Sequence, residues 1–479
     1  MLNSQDKSER HSSIFPPRPL CVDLDGTIIA TDTLAESLAL IIKTSPILLL
    51  ALPYWLIRGK YFIKSQIEKH TPLDAADLPY REKVLDFIRE EKSKGRTIVL
   101  ATATMPQIAN KVSEYLGLFD LVLTSKNGQN LRAANKRDKL IQLFGEKGFD
   151  YAGDSKADIK VWAAADKAIL VQPSKRVLKK ARLIGNVDLV FKKDFSKFSA
   201  FIDTIRIKNW LKNIIIFIPM FFSVSALLSV SIWKLLTVLG IFCLLTTANN
   251  IFNDIIDINS DRRHRLKRKR PITSGNISLF KAFKLLILTA TAPIVVSTIY
   301  LSPLFTLYLI LFLITSAFYS LFARRNLYNS ALVLTATDLI RVLSGVYLFN
   351  VNIPAFVFLG LCLLFFSLSA LKLYSEFAYQ VSTRDDIPTN TLVREQNSTL
   401  KTFGIASAYL SLAIYYTSIE RLYSSTDVFH AIASAAFVLW INRLWSKASQ
   451  GKLHGEPLVY SFKEFTFYIL IILMILCSF

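Results

Sequence analysis

The chain has 479 residues, 52% of them hydrophobic and 19% charged, with a mean hydropathy of +0.37. That excludes a disordered or fibrous protein, and it is too apolar for two ordinary soluble domains. A formal charge of +21 in so apolar a chain points to the basic cytoplasmic loops of a membrane protein before it points to nucleic acid. The four cysteines (Cys21, Cys243, Cys362, Cys477) are scattered without metal-ligand spacing and read as reduced packing residues.

In chain order, residues 1–17 form a polar tail with no apolar core, so no secretory signal is expected. Between 18 and 195, apolar runs of strand length (Leu20–Val22, Thr97–Ala101, Leu121–Thr124, Tyr151–Ala152) alternate with amphipathic stretches. This alternation predicts an α/β domain with a parallel sheet. Within it, Leu38 to Ile57 is almost wholly apolar, interrupted by Lys43, Pro46 and Pro53. It reads as part of a helical cap, about 33–90, that lies on a membrane surface or forms a re-entrant hairpin. A buried cap helix is the plainer alternative.

From 203 to 479 the chain predicts an all-α polytopic membrane domain. Nine apolar runs approach the roughly 20 residues that a spanning helix needs. They fall at about 211–228, 231–252, 281–300, 303–321, 327–349, 353–373, 401–419, 427–446 and 463–479. The loops after the even-numbered runs hold Arg262–Arg270, Arg324–Arg325, Arg384/Arg394/Lys401 and Arg443/Lys447/Lys452. The loops after runs three, five and seven are nearly free of Lys and Arg, apart from Arg421. The positive-inside rule then puts the basic loops and the N-terminal domain in the cytoplasm of a bacterial-type plasma membrane, with Phe479 outside.

Two sets of residues carry chemistry. The first strand ends in Asp23-Leu24-Asp25-Gly26-Thr27, a second ends at Thr102, Lys136 precedes an amphipathic helix, and a third strand ends in Gly153-Asp154 with Asp158 four residues on. Together they offer carboxylates for Mg²⁺, and a hydroxyl and an ammonium for phosphate oxygens. This order resembles the haloacid dehalogenase (HAD) phosphatase superfamily over about residues 18–190. The resemblance implies a Rossmannoid domain with a helical cap. It makes Asp23 the nucleophile, Asp25 the general acid/base, and Thr102 and Lys136 the phosphoryl holders. Asp23, Asp154 and the Asp25 carbonyl would bind Mg²⁺, and Asp158 would serve as a metal or supporting residue.

The second set begins at the end of run two. On one continuous helix Asn253, Asp254, Asp257 and Asp261 fall within an arc of about 100°. Three carboxylates at a membrane boundary repel one another, and a divalent cation carrying a phosphate ligand relieves that cost. A basic stretch, Arg262 to Arg270, follows, then Pro271 and Ser274-Gly275. Most of its charge is topological; Lys267 and Arg270 are the candidates for phosphate, and His264 alone is weak evidence.

The pattern NDxxDxxxD…K..RP..SG resembles the UbiA superfamily of intramembrane prenyltransferases over about residues 203–479. That family binds a polyprenyl diphosphate through Mg²⁺ on two aspartate-rich motifs, which makes Asp257 and Asp261 central to catalysis and Asp254 a further ligand. Where the second motif belongs, this chain has Lys372-Leu373-Tyr374-Ser375-Glu376. A KxxxE there looks like the branch containing decaprenyl-phosphate phosphoribosyltransferase. Trp210-Leu211-Lys212-Asn213, Asp338…Arg341 and Arg443-Leu444-Trp445 fit that branch. Glu456-Pro457, Glu464 and Tyr328-Asn329 depart from it.

The substrate-binding set is therefore Lys212, Asn253, Lys267, Arg270, Arg341, Lys372 and Glu376; an intramembrane ion pair is an equal reading of Asp338 and Arg341. The expected function is group transfer between a polyprenyl phosphate or diphosphate and a Mg²⁺-diphosphate donor, foremost phosphoribosyl transfer, with a fused Mg²⁺-dependent phosphatase. Prenyl transfer to an aromatic or other small acceptor is the rival. A transporter or scaffold with a vestigial N-terminal domain is the rival outside enzymes, and no nucleic-acid partner is expected.

Overall fold

The computed structural model describes residues 17–71, 73–125, 130–192, 196–223, 228–383, 391–422, 428–453 and 455–476. The tail before residue 17, Arg384, Cys477 and Phe479 lie outside them. The chain divides into two compact units: Met1–Phe201 with Ile255–Ala282, and Ile202–Asp254 with Phe283–Phe479. Residues 255–282, expected as a loop of the membrane half, pack with the first unit.

The first unit is built on a six-stranded parallel sheet of order β3-β2-β1-β4-β5-β6. The strands are β1 Leu20–Val22, β2 Ile98–Ala101, β3 Leu121–Leu123, β4 Asp150–Gly153, β5 Ala168–Val171 and β6 Val187–Phe191. Both faces are covered, so β1, β2, β4 and β5 are buried along their length. Leu20 and Val22 face one core, while Cys21 faces the other with Val99 and Tyr151. Leu20 aligns with both Ile98 and Asp150, which brings the ends of β1, β2 and β4 to one edge of the sheet. The strand order reverses between β1 and β4, the place where open α/β sheets leave a crevice.

The cap follows β1. Helix α1, Thr33–Thr44, starts where the Asp32 carboxylate accepts from Leu34 N–H. A 3₁₀ turn, Pro46–Ala51, leads into α2, Leu52–Ile57, and α3, Lys60–Lys69. Both prolines of this stretch sit in the first turn of a helix, where the missing N–H costs nothing. Ile41, Trp55 and Ile67 form the cap's own small core.

Among the described residues the chain has five helices long and apolar enough to cross a membrane: Ile232–Ile256, Leu279–Tyr300, Pro303–Leu321, Leu327–Phe349 and Ala355–Tyr379. Nine were expected. The first expected span, 211–228, falls up to Phe222 on a 3₁₀ run, Ile207–Phe222, with Pro219 inside it, and its residues 224–227 lie outside the described residues. The last three expected spans fall on the helices Thr391–Leu422, Val428–Ser449 and Phe465–Leu476. The first two of these mix charged and polar residues with apolar ones, and the third has 12 described residues. The second unit packs around Phe365, Leu371, Trp440, Leu444 and Trp445.

Candidate active sites

In the first unit the predicted phosphatase residues meet at the sheet edge. Asp23 directly follows β1, and its N–H donates to Ala152 O of β4 at 3.0 Å. Carboxylate oxygens of Asp23, Asp154 and Asp158 all lie within 4.8 Å of one another. Gly26 explains the glycine of the first motif. Its φ is +78°, and a Cβ there would stand 2.5 Å from Asp154 Oδ2. The chain folds back here so closely that only a hydrogen fits beside the carboxylate.

Lys136 is nearly fully buried. Its ammonium pairs with Asp23 Oδ1 at 2.9 Å and donates to Tyr151 Oη at 2.8 Å. Tyr151 in turn donates to Asp158 Oδ1 at 2.9 Å. Ser155 fixes the other oxygen of Asp158 through its backbone N–H (3.0 Å) and its hydroxyl (2.7 Å). Asp25 accepts from Thr33 N–H at 2.8 Å and from the Thr104 hydroxyl at 2.8 Å. Thr102, at the end of β2, donates to Thr104 Oγ1 at 3.0 Å rather than to either aspartate.

The electrostatics follow from burial and like charge. Burial pushes the Asp23 carboxyl up to about 7; Lys136 opposes this, and Asp158 and Asp25 add to it. Burial, then Asp32, pushes Asp25 up to about 6 against the Thr33 and Thr104 hydrogen bonds. Asp154 is held well above the usual carboxylate range by burial, Asp158 and Asp23. A divalent cation relieves such crowding of carboxylates, and the donor set is all oxygen, as Mg²⁺ requires.

Tyr151, Thr33, Thr104 and Arg81, whose charge acts on Asp154, were missed in the sequence. Tyr151 sits one residue into a buried strand, where a lone aromatic reads as core. Thr33 opens α1 and Thr104 lies in a bend after β2, and neither belongs to a motif.

The aspartate-rich motif of the membrane half does not lie on one continuous helix. The spanning helix ends at Ile256, Asp257 has φ −93° and ψ 8°, and a short helix Ile258–Arg263 follows. The run of Asn, Asp and Ser here competes for backbone hydrogen bonds and disfavours continued helix. In the second unit, Asn253 accepts from the Ser320 hydroxyl, and Asp254 is buried against the Arg206 guanidinium. In the first unit, Asp261 is buried, bound by Arg270 at 2.6 Å and approached by Lys267 at 3.8 Å. Its backbone N–H donates to Asp257 O at 2.8 Å. Both arginine and lysine expected at phosphate are thus on a carboxylate. Arg206 was not foreseen, since nothing in its spacing links it to Asp254. His264 Nδ1 accepts from Leu266 N–H and Lys267 N–H, which is a turn-forming role.

A second cluster lies wholly within the second unit. Lys212 reaches Asp338 (3.1 Å) and Glu456 (3.2 Å). Lys372 pairs with the same Glu456. Arg341 pairs with Asp338 at 2.6 Å and lies over the Phe312 ring at 4.5 Å. A small cavity opens among Lys212, Asp338, Lys372 and Glu456. Glu376, one turn beyond Lys372, is exposed. The sequence brought Lys212, Arg341 and Lys372 forward but had Glu456 only as a departure from a family pattern.

Residues 214–456, just over half of the chain, match the UbiA prenyltransferase family. The chain is 31% identical over 458 residues to an uncharacterized protein, y4nM, of Sinorhizobium fredii, covering 94% of this chain and 88% of that one. It is 29% identical over 103 residues to the decaprenyl-phosphate phosphoribosyltransferase of Mycolicibacterium smegmatis, covering 21% of this chain and 32% of the relative. A solved UbiA homolog from Archaeoglobus fulgidus, bound to DMAPP and Mg²⁺, superposes on 58% of this chain and 97% of its own with a TM-score of 0.45 at 14% identity. The apolar helices and the family match describe an integral membrane protein, and the chain belongs to the UbiA prenyltransferase family.

Proposed function

We propose that the protein is a two-activity lipid enzyme. The membrane unit transfers a phosphoribosyl group from phosphoribosyl diphosphate to a polyprenyl phosphate, and the N-terminal domain removes the sugar phosphate. The observation that carries the transferase reading is the pairing of Lys372 and Lys212 on one carboxylate, Glu456. Where a second metal would need acids, this site presents two ammonium groups, which suits an anion such as a lipid phosphate. The short match to the Mycolicibacterium enzyme points the same way. Asp254, Asp257 and Asp261 are proposed for Mg²⁺ on their sequence pattern. Arg206, which pairs with Asp254, and Arg270, which pairs with Asp261, would offer guanidinium groups to the donor diphosphate.

In the phosphatase, Asp23 attacks phosphorus to form an aspartyl phosphate, and Asp25 protonates the departing alkoxide. Asp25 then takes a proton from water, which attacks the same phosphorus and frees inorganic phosphate. Lys136 and Thr102 hold phosphoryl oxygens. Mg²⁺, held by Asp23, Asp154 and the Asp25 carbonyl with Asp158 beside them, would neutralise the phosphoryl charge.

The test uses purified full-length protein with polyprenyl phosphate, Mg²⁺ and labelled phosphoribosyl diphosphate. Labelled lipid is expected. The wild type should then release inorganic phosphate from it, and Asp23→Asn should accumulate the phosphorylated lipid. If no labelled lipid forms, and diphosphate is instead released from a polyprenyl diphosphate with an aromatic acceptor, ordinary prenyl transfer replaces this reading. The cytoplasmic placement of both sites, which follows from the loop charges, is part of the same proposal.

A further inference from the structure

The cap has an outer face that no described residue of its unit covers. Ile41, Trp55 and Ile67 fill its inside. The turn and α2 present Ile47 (79% exposed), Leu50 (84%) and Ile57 (85%) outward, together with Tyr54 and Leu56. A soluble protein rarely leaves so contiguous an apolar patch bare.

Two further observations say what covers it. The first is charge: between Glu36 and Glu68 the cap holds Lys43, Arg58, Lys60 and Lys64 and no acidic residue. Lys43 and Arg58 are exposed at the two ends of the apolar stretch. Apolar side chains rimmed by cations are what an anionic bilayer surface binds.

The second observation is connectivity. Residues 257–278 join two membrane-spanning candidates, so they lie at a membrane face. Within the first unit they are fastened to the base of the cap. Arg262 forms a partly buried pair with Glu36 of α1 (2.6 Å) and donates to Asp77 O (2.9 Å). Arg263 pairs with the Asp77 carboxylate at 2.8 Å. Gly275 packs on Ala30, so closely that no Cβ would fit there. The cap is therefore held within a few residues of the membrane face.

The geometry points to a membrane-docked cap: the Ile47–Ile57 tip embeds in the bilayer surface, and the Asp23 site below it acts on phosphate monoesters carried by membrane lipid. Helices α1 and α3, which support the tip, also line the pocket beside Asp25, through Leu34, Ser37, Lys64 and Glu68. A substrate reaching Asp25 passes between the helices whose far end carries the tip. The substrate half of this inference rests on the phosphatase reading above; the docking half does not.

The docking half is read by photocrosslinking. Benzoylphenylalanine replaces Leu50, or Lys179 as an exposed control, in full-length protein reconstituted into nanodiscs with anionic lipid. Lipid adducts are expected at position 50 and not at 179. An adduct to a second copy of the chain, or no lipid adduct at 50, overturns the docking.

The substrate half is read by kinetics. Leu50→Ser combined with Ile57→Ser should lower kcat/KM about tenfold for a long-chain phosphatidate in nanodiscs while leaving its short-chain soluble analogue unchanged. Equal rates on both, for wild type and variant alike, overturn the substrate class. If the wild type hydrolyses neither monoester, the wider lipid substrate class falls; if it also leaves the phosphoribosyl lipid intact, the phosphatase reading falls, while the crosslinking result still stands for the docking.

Discussion

Two of the polar clusters among the described residues are charged in opposite senses. At the edge of the sheet, Asp23 stands with Asp25, Asp154 and Asp158, and Lys136 is the cation bonded to it. In the membrane unit, Glu456 and Asp338 are shared among Lys212, Lys372 and Arg341. A buried cluster with surplus carboxylate stores repulsion that a metal ion relieves. One with surplus ammonium and guanidinium is set up for an anion. The first cluster should therefore fail when metal is withdrawn, and the second when a cation is withdrawn.

The sharpest break of this contrast is Asp23→Asn. It should lower hydrolysis of a phosphate monoester by about a thousandfold or more, since an amide forms no acyl phosphate, and it should spare lipid transfer. Normal hydrolysis by that variant would remove Asp23 as nucleophile. Asp261→Asn should cost about a hundredfold in Mg²⁺-dependent transfer with hydrolysis intact. Equal loss of both activities would mean a collapsed fold or a shared site.

A smaller effect is expected at the cationic cluster. Lys372→Gln leaves Lys212 on Glu456 and should lower transfer from a phosphoribosyl donor about tenfold. Lys372→Asp should be inactive with that donor. Steady-state rates decide it, and full activity of Lys372→Gln would leave the lysine a merely interfacial role. Tyr151→Phe is the finest probe. It removes the hydroxyl between Lys136 and Asp158 and should weaken Mg²⁺ activation of hydrolysis about tenfold, measured as a shift in the metal concentration for half-activity. An unchanged metal dependence would make Tyr151 part of the packing only.

The acid cluster was legible in the sequence because its residues sit at strand ends. A short apolar run announces a strand, and the parallel register then brings Asp23, Thr102 and Asp154 to one edge. What strand logic does not reach is the supporting layer: Tyr151 looks like core, and Thr104 rather than Thr102 holds Asp25. The cationic cluster was legible only in part. Lys212 and Glu456 are 244 residues apart, and no periodicity links them. The aspartate-rich motif was legible as composition and misleading as geometry, because a helical arc presumes that the helix continues past Ile256.

The Glu36–Arg262 pair also bears on how the chain crosses the membrane. It holds the N-terminal domain and residues 257–278 on the same side of the bilayer. An even number of crossings between 202 and 256 is what that arrangement calls for. If the Ile232–Ile256 helix crosses once, the return crossing has to come from the stretch before it. The Ile207–Phe222 run has 16 residues. At about 2.0 Å per residue a 3₁₀ helix of that length extends roughly 32 Å, enough for a hydrocarbon core of about 30 Å. The tighter coil is thus long enough to span with fewer residues than an α-helix would need.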